Sequence, residues 1–206
     1  MLTIHHLANS QSERIIWLCE ELELDYAIRR YERRADNQMA PPDFKALHPL
    51  GISPTITDGE LALCESGAIA EYIVATHGQG RLAVAPDHPH YVQHLFWFHC
   101  ANATLAGNML ARMVLAIGGG TMNASTAFLE ERKQRILAMV ERQLAETHFF
   151  GGDNVTLADI MMVLPLSHLH ALAKDGWSGQ PHTVAYLERI AARPAWQRAR
   201  AKAEPG

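Results

Sequence analysis

Three short stretches carry the side chains able to do chemistry. The loop Asn9-Ser10-Gln11-Ser12-Glu13-Arg14 offers two hydroxyls close together, and further on come a Ser53-Pro54 step and a Glu65-Ser66 pair. Ser66 stands where a helix should begin. Its hydroxyl and the unpaired amides of a helix start form a place for a carboxylate, while Glu65 beside it attracts an ammonium group. A ligand bearing both groups on one carbon, the α-amino-acid end of a small peptide, suits the pair. A plainer role fits the same residues, since Ser10, Ser12 and Ser66 are all placed to cap a helix.

The surrounding pattern must position these groups. Leu2, Ile4 and His6 alternate as in a short buried strand, and Ile15, Leu18, Cys19 and Leu22 follow at helical spacing. Tyr26, Ile28 and Arg30 suggest a second strand, and a strand-helix-strand unit of this length favours parallel pairing. Residues 35–50, with Pro41-Pro42, read as a loop holding at most one short helix. Ile56, Leu61 and Leu63 flank Asp58-Gly59, a hairpin signal in which both turn residues take up positive φ. Ile69, Tyr72 and Ile73 then share one helix face, so a helix begins where the hairpin ends.

Turn formers crowd at Gly78-Gln79-Gly80 and Pro86-Asp87-His88-Pro89, marking a linker. Beyond it Val92, Leu95, Phe96, His99, Ala103, Ala106, Leu110, Met113 and Ile117 step at helical intervals until Gly118-Gly119-Gly120. A second long helix is expected from about Ser125 to Glu146. Thr156 and Asp159, just before the apolar run 160–166, form a variant capping box. A last helix is expected with Thr183 as its cap, and Pro194 ends or restarts it.

The order within residues 48–73, a proline after a loop, a hairpin, then Glu-Ser opening a helix, resembles the glutathione-binding half of the glutathione S-transferase family. The resemblance implies a thioredoxin-like α/β domain over 1–78, a linker over 79–88 and an all-α domain over 89–206. It also implies a cis Ser53-Pro54 bond, with the Ser53 backbone holding the cysteinyl part of glutathione and Ile52, Pro54, Gln38, Glu65 and Ser66 around the rest. The loop at 9–14 occupies the place where thioredoxins carry Cys-x-x-Cys. Both sulfurs are missing here, so dithiol chemistry is unavailable, and the resemblance implies that the nucleophile is glutathione's own sulfur. A serine hydroxyl donating to that sulfur favours the thiolate.

In serine-type members the activating hydroxyl lies four residues before an arginine of the first helix, a register that joins Arg14 to Ser10. The phrase HHLANSQSERIIWLCEEL is similar to bacterial members with Asn-Ser-x-Ser-x-Arg. Ser10 is therefore the first candidate to activate the thiol and Ser12 the second. Ile52 is a departure, because many members carry a lysine there; His48, Gln38 and Arg34 are the available substitutes. For the electrophile the resemblance points to the long first helix of the helical half, with Leu105, Met109 and Met113 as an adaptable apolar wall and Arg112 for an anionic group. Helix packing fits the methionines equally well. The implied activity is conjugation of glutathione to a small electrophile by a homodimer. Glutathione-dependent peroxidases, isomerases, dehalogenases and non-catalytic binding proteins are alternatives on the same fold.

Composition narrows the classes. The 206 residues are 48% hydrophobic and 19% charged, enough for a real core, and 18 basic against 22 acidic residues give a net charge of -4, which argues against a nucleic-acid surface. Cys19, Cys64 and Cys100 match neither a disulfide framework nor a zinc site. The 12 histidines show no metal-ligand spacing: His94 and His99, His168 and His170, and His5 and His6 each point apart on their elements. No metal is expected. The start of the chain lacks a signal-peptide pattern and no apolar run approaches the ~20 residues that cross a bilayer, so a cytoplasmic protein without a membrane partner is expected.

Overall fold

The computed structural model describes residues 1–119, 124–173 and 175–204. In chain order the elements are β1 (Thr3–Leu7), α1 (Ser12–Glu21), β2 (Ala27–Tyr31), α2 (Pro42–Lys45), β3 (Thr55–Asp58), β4 (Leu61–Cys64), α3 (Ser66–Thr76), α4 (Tyr91–Cys100), a π-helical segment (Ala101–Ala106), α5 (Gly107–Ile117), α6 (Ala124–Glu146), α7 (Leu157–Leu172), α8 (Pro181–Ala191) and α9 (Pro194–Ala203). The chain divides into two compact units, Met1–Ala83 with Ile190–Gly206, and Val84–Arg189.

The first unit is built on a mixed sheet of order β2-β1-β3-β4, in which β1 runs parallel to β2 and antiparallel to β3. Ile4 sits opposite Ile28 on one side and Ile56 on the other. Ile4, Ile56 and the α1 residues Ile15, Ile16 and Leu18 are wholly buried, so the apolar alternation read from the sequence forms the core that fixes the register. This is the expected thioredoxin-like arrangement. The hairpin turn sits one residue later than expected. Asp58 still pairs with Leu61, leaving Gly59 and Glu60 as the loop, and of these only Gly59 has positive φ, at 59°. Asp58 stays in the strand because its carboxylate accepts the hydroxyl of Tyr72 in α3 at 3.0 Å and pairs at 2.6 Å with His77, the residue that caps the end of α3.

The terminal helix α9 packs on α1 in this first unit, whereas the sequence expectation grouped it with the helical half. Its basic face explains the placement. Arg193 makes two 2.7 Å bonds to Glu21, Arg198 reaches Glu20 at 2.7 Å, Lys202 joins Glu20, and Arg200 joins Glu13. Trp17 and Trp196 meet edge to face at 5.1 Å between ring centres. Burial pushes the Glu20 carboxyl up, but the bonds from Lys202, Tyr26 and Arg198 outweigh it and hold the group below the usual carboxylate range.

The second unit is helical. Residues Tyr91–Ile117 form one helical course of 27 residues with mean hydropathy 1.3 in its most apolar window, long and apolar enough to cross a membrane by length and composition. That differs from the sequence expectation, in which no run reached that length. Core helices of water-soluble bundles pass the same test, and this one carries polar groups that bond within its own unit: Trp97 donates to Gln143 of α6 at 3.2 Å and Asn108 to the Leu129 carbonyl at 2.9 Å. Gly118 ends α5 as expected, and Gly120 lies outside the described residues. Helix α8 starts at Pro181, ahead of the expected cap. Thr183 instead donates its hydroxyl and amide to Glu141, whose carboxylate also takes the His182 amide at 2.8 Å and so closes the helix start from α6.

The Thr156–Asp159 box is present at the start of α7. Asp159 is fully buried and takes four donors, the Phe150 and Thr156 amides at 2.9 Å and the Thr156 and Tyr186 hydroxyls at 3.1 and 3.2 Å. Burial pushes its carboxyl up to about 6 against those donors. Replacing Asp159 with Ala strands two buried amides, each unmet donor costing about 1–3 kcal/mol. Thermal denaturation of Asp159→Ala is expected to show a loss of about 3 kcal/mol, a melting point lower by about 6–12 °C. An unchanged melt would show that α7 is held by packing alone.

Candidate functional site

The residues singled out in the first unit converge. Ser10 lies in the loop before α1, half-buried, with its Oγ 2.8 Å from the Ser53 Oγ and 2.8 Å from the Ser12 Oγ. Ser66 Oγ donates to Gln11 Oε1 at 3.3 Å and accepts from Arg14 at 3.2 Å, which ties the start of α3 to the same loop. The Ser53-Pro54 bond is cis, the isomer the resemblance implied. The loop, the cis-proline step and the start of α3 therefore meet in one place.

The two candidate serines have different surroundings. Ser12 is 0% exposed and its Oγ lies 2.8 Å from the His6 Nδ1, so it is sealed beneath Ser10. Of the two, Ser10 is the one that keeps some exposure to solvent. Neither acts as the expected side-chain cap: the N-cap of α1 is Gln11, which makes no side-chain cap bond, and the backbone amide that Ser10 Oγ accepts is that of Ser12, at 3.3 Å. Ser66 is likewise the first residue of α3 and not its cap. The cap is Glu65, exposed, with φ 72° and ψ 112°. Few non-glycine residues occupy that backbone region, and holding one there costs about 1–3 kcal/mol.

The remaining candidates are more scattered. Ile52 is 39% exposed, and its carbonyl accepts the Thr55 hydroxyl at 2.8 Å. Gln38 is exposed at φ 59°, and its side chain and amide turn back to the Arg34 carbonyl. Of the proposed lysine substitutes, Arg34 is paired with Asp36 at 2.6 Å, and His48 Nδ1 sits 3.2 Å from Cys64 Sγ. In the second unit Arg112 is ion-paired with Glu130 and lines a cavity of about 250 Å³ with Lys133, Leu137 and Trp177, so its charge is already met within the bundle. Met109 is half-buried one turn from the exposed Met113. Among the described residues no three His, Cys, Asp or Glu side chains gather as a metal site.

Three further residues at this site have partners that sequence reasoning did not supply. Arg33 donates to the Ala8, Asn9 and Gln38 carbonyls at 2.8, 3.1 and 2.8 Å, clamping the first loop to the loop of Gln38. Arg14 is fully buried beneath Ser66, and burial lowers its guanidinium to about 10, leaving it charged at neutral pH. His6 is also buried, with Nε2 3.0 Å from the Ala203 carbonyl. Only Arg14 had a sequence signal, the four-residue register to Ser10.

Comparison with known proteins bears on this geometry. The family profile for the N-terminal domain of glutathione S-transferase matches residues 2–75, and that for the C-terminal domain matches residues 119–194. A glutathione S-transferase of Hyoscyamus muticus is 30% identical, over 90% of this chain and 91% of that protein. The crystal structure of a glutathione S-transferase from Actinobacillus pleuropneumoniae superposes with a TM-score of 0.88 at 29% identity, covering 98% of this chain and 93% of that one. A theta-class glutathione S-transferase from Xanthomonas axonopodis pv. citri, solved with glutathione bound, gives 0.71 at 25% identity over 96% of each chain.

The backbone at Glu65 offers a direct test of stored strain. Glycine adopts positive φ without penalty and is tolerated as an N-cap. Glu65→Gly is therefore expected to raise stability by about 1 kcal/mol in chemical denaturation. An unchanged denaturation curve would show that the Glu65 backbone stores no strain.

Proposed function

This chain belongs to the glutathione S-transferase family and is a glutathione transferase, and from that premise we propose that its first unit binds glutathione and activates the sulfur through Ser10. The observation that carries the reading is the meeting of Ser10, Ser53 and Ser66 around one loop. Ser53 and Pro54 hold the cysteinyl backbone, Ile52 and Gln38 flank it, and Glu65 with the Ser66 end of α3 takes the ammonium and carboxylate of the γ-glutamyl end. Ser12 serves from beneath. A glutathione-bound relative supports glutathione as the co-substrate. The thiolate attacks a small electrophile, whose carbon–leaving-group bond breaks as the carbon–sulfur bond forms. Met109 and Met113, on one side of α5, are assigned as the electrophile's apolar wall, with Arg112 beside them.

We propose a homodimer as well. Val92, Leu95 and Phe96 are 74%, 41% and 46% exposed and, with His99 and Ala103, line a shallow groove along α4. A second copy covering it would remove this apolar stripe from water.

Saturating glutathione, at about 100 times its dissociation constant, should stabilise the protein by about 2.7 kcal/mol, raising the melt by about 5–10 °C. Ser10→Ala should keep that shift yet lose the ultraviolet absorbance of the bound thiolate. One charge-assisted hydrogen bond of about 1.5–3 kcal/mol corresponds to a thiol pKa higher by about one to two units. Undiminished thiolate in Ser10→Ala would remove Ser10 from the mechanism. For assembly, light scattering should give twice the chain mass for the parent and a monomer for Phe96→Glu; a monomeric parent would reject the dimer.

A further inference from the structure

Four hydrogen bonds run inward from Ser53 in single file: Ser53 Oγ to Ser10 Oγ at 2.8 Å, Ser10 Oγ to Ser12 Oγ at 2.8 Å, Ser12 Oγ to His6 Nδ1 at 2.8 Å, and His6 Nε2 to the Ala203 carbonyl at 3.0 Å. A carbonyl can only accept, so His6 Nε2 carries a proton. A neutral imidazole has one N–H, so Nδ1 is an acceptor and Ser12 must donate to it. With its single proton committed, Ser12 accepts from Ser10, and Ser10, with its own proton spent, accepts from Ser53. The polarity of the whole file follows from the last carbonyl.

This creates a conflict with the role of Ser10. Its proton points inward, away from any ligand, and its oxygen also takes the Ser12 amide at 3.3 Å, so only the place of the Ser53 hydroxyl is open to a sulfur. A thiol arriving there can donate but finds no donor. Ser10 can face a thiolate as a donor only if the file reverses, with Ser12 donating to Ser10 and His6 Nδ1 donating to Ser12. Because Nε2 keeps its proton on Ala203, the reversed file contains an imidazolium.

From this geometry we infer that His6 is the terminal proton acceptor for the glutathione thiol, acting through Ser12 and Ser10. The S–H bond breaks as its proton joins the Ser10 oxygen; the Ser10 proton passes to Ser12 and the Ser12 proton to His6 Nδ1. One thiol and one neutral imidazole become one thiolate and one imidazolium, with no atom gained or lost. The product is the reversed file, in which Ser10 donates to the thiolate. The inference rests on the transferase reading of Ser10 and extends it inward.

The surroundings of His6 fit both states. Burial lowers the imidazole below its ordinary value, the Ala203 carbonyl opposes this, and Arg30 of β2 lowers it further while Glu204 raises it, so His6 rests neutral at physiological pH. Ala203 is the last residue of α9, where unpaired carbonyls carry the helix's partial negative charge and favour a cation. The nearby bases Arg200 and Lys202 of α9 are held by Glu13 and Glu20 of α1 and do not compete.

His6→Asn separates proton acceptance from orientation. Its amide oxygen can still take the Ser12 hydroxyl near the Nδ1 position but cannot take the proton. The pH profile of thiolate absorbance in the glutathione complex should shift upward by about one unit, a tenfold loss of thiolate below the pKa that is recovered at high pH. A uniform loss at all pH values, or an unchanged profile, would overturn the inference. A second readout needs no variant: nitrogen resonances of labelled His6 in the wild-type protein should change on glutathione addition from the Nε2–H tautomer to the doubly protonated ring. Thiolate absorbance beside a neutral His6 would overturn the inference and leave the transferase reading intact. Bound glutathione that never forms a thiolate in the wild type would overturn both.

Discussion

A buried imidazole with a carbonyl against one nitrogen has only a lone pair left at the other. In this protein the Ala203 carbonyl imposes that condition on His6, and three hydroxyls above it inherit their direction. The opposite tautomer would turn a lone pair onto the carbonyl and leave the Ser12 hydroxyl facing a donor, with unmet buried groups at about 1–3 kcal/mol each. That exceeds what thermal motion supplies. The half-buried hydroxyl of Ser10 is thus governed by a backbone atom nearly two hundred residues later in the chain.

Such a condition holds only if the end of α9 stays where it is. The pairs between α1 and α9 are unequal: the side chains of Glu20 and Glu21 are 7% exposed, whereas Arg198 and Lys202 are 47% and 49% exposed. Pairs between exposed charges contribute little, but a buried carboxylate stripped of its base is strongly unfavourable. The acids of α1 therefore require α9, and α9 delivers its terminal carbonyl to β1. Helix α1 carries Ser12 at its start and Glu13, Glu20 and Glu21 along its length, so the start of the helix and the clasp belong to one element.

What could be read in the sequence follows the range of the interaction. The hairpin, the helix after it and the Thr156–Asp159 box were legible because their partners lie within a few residues, as was the convergence of Ser10, Ser53 and Ser66 through the family pattern. The turn at Gly59 was misread by one residue because Tyr72 of the next helix and His77 at its C-terminal cap hold Asp58 in its strand. Nothing in the neighbours of Arg33 announces three carbonyls supplied by two loops. The placement of α9 and the partners of His6 were beyond reach for the same reason. Strand alternation put His6 on a face but could not say that a helix end would cover it.

Ser12 shows how such a long-range tie marks a residue choice that local rules do not explain. It occupies the first turn of α1, where its hydroxyl caps nothing, and alanine would be the better helix former by a few tenths of a kcal/mol. A buried hydroxyl is itself unfavourable unless both its proton and its lone pair are used. Here both are used, between His6 and Ser10, and removing the oxygen would leave two neighbours unmet in place of one. The identity of this side chain is therefore set by the groups on either side of it and not by the helix that carries it. Since one of those groups is the half-buried Ser10 and the other the buried imidazole of His6, a serine at 12 joins the surface loop to the interior of the fold.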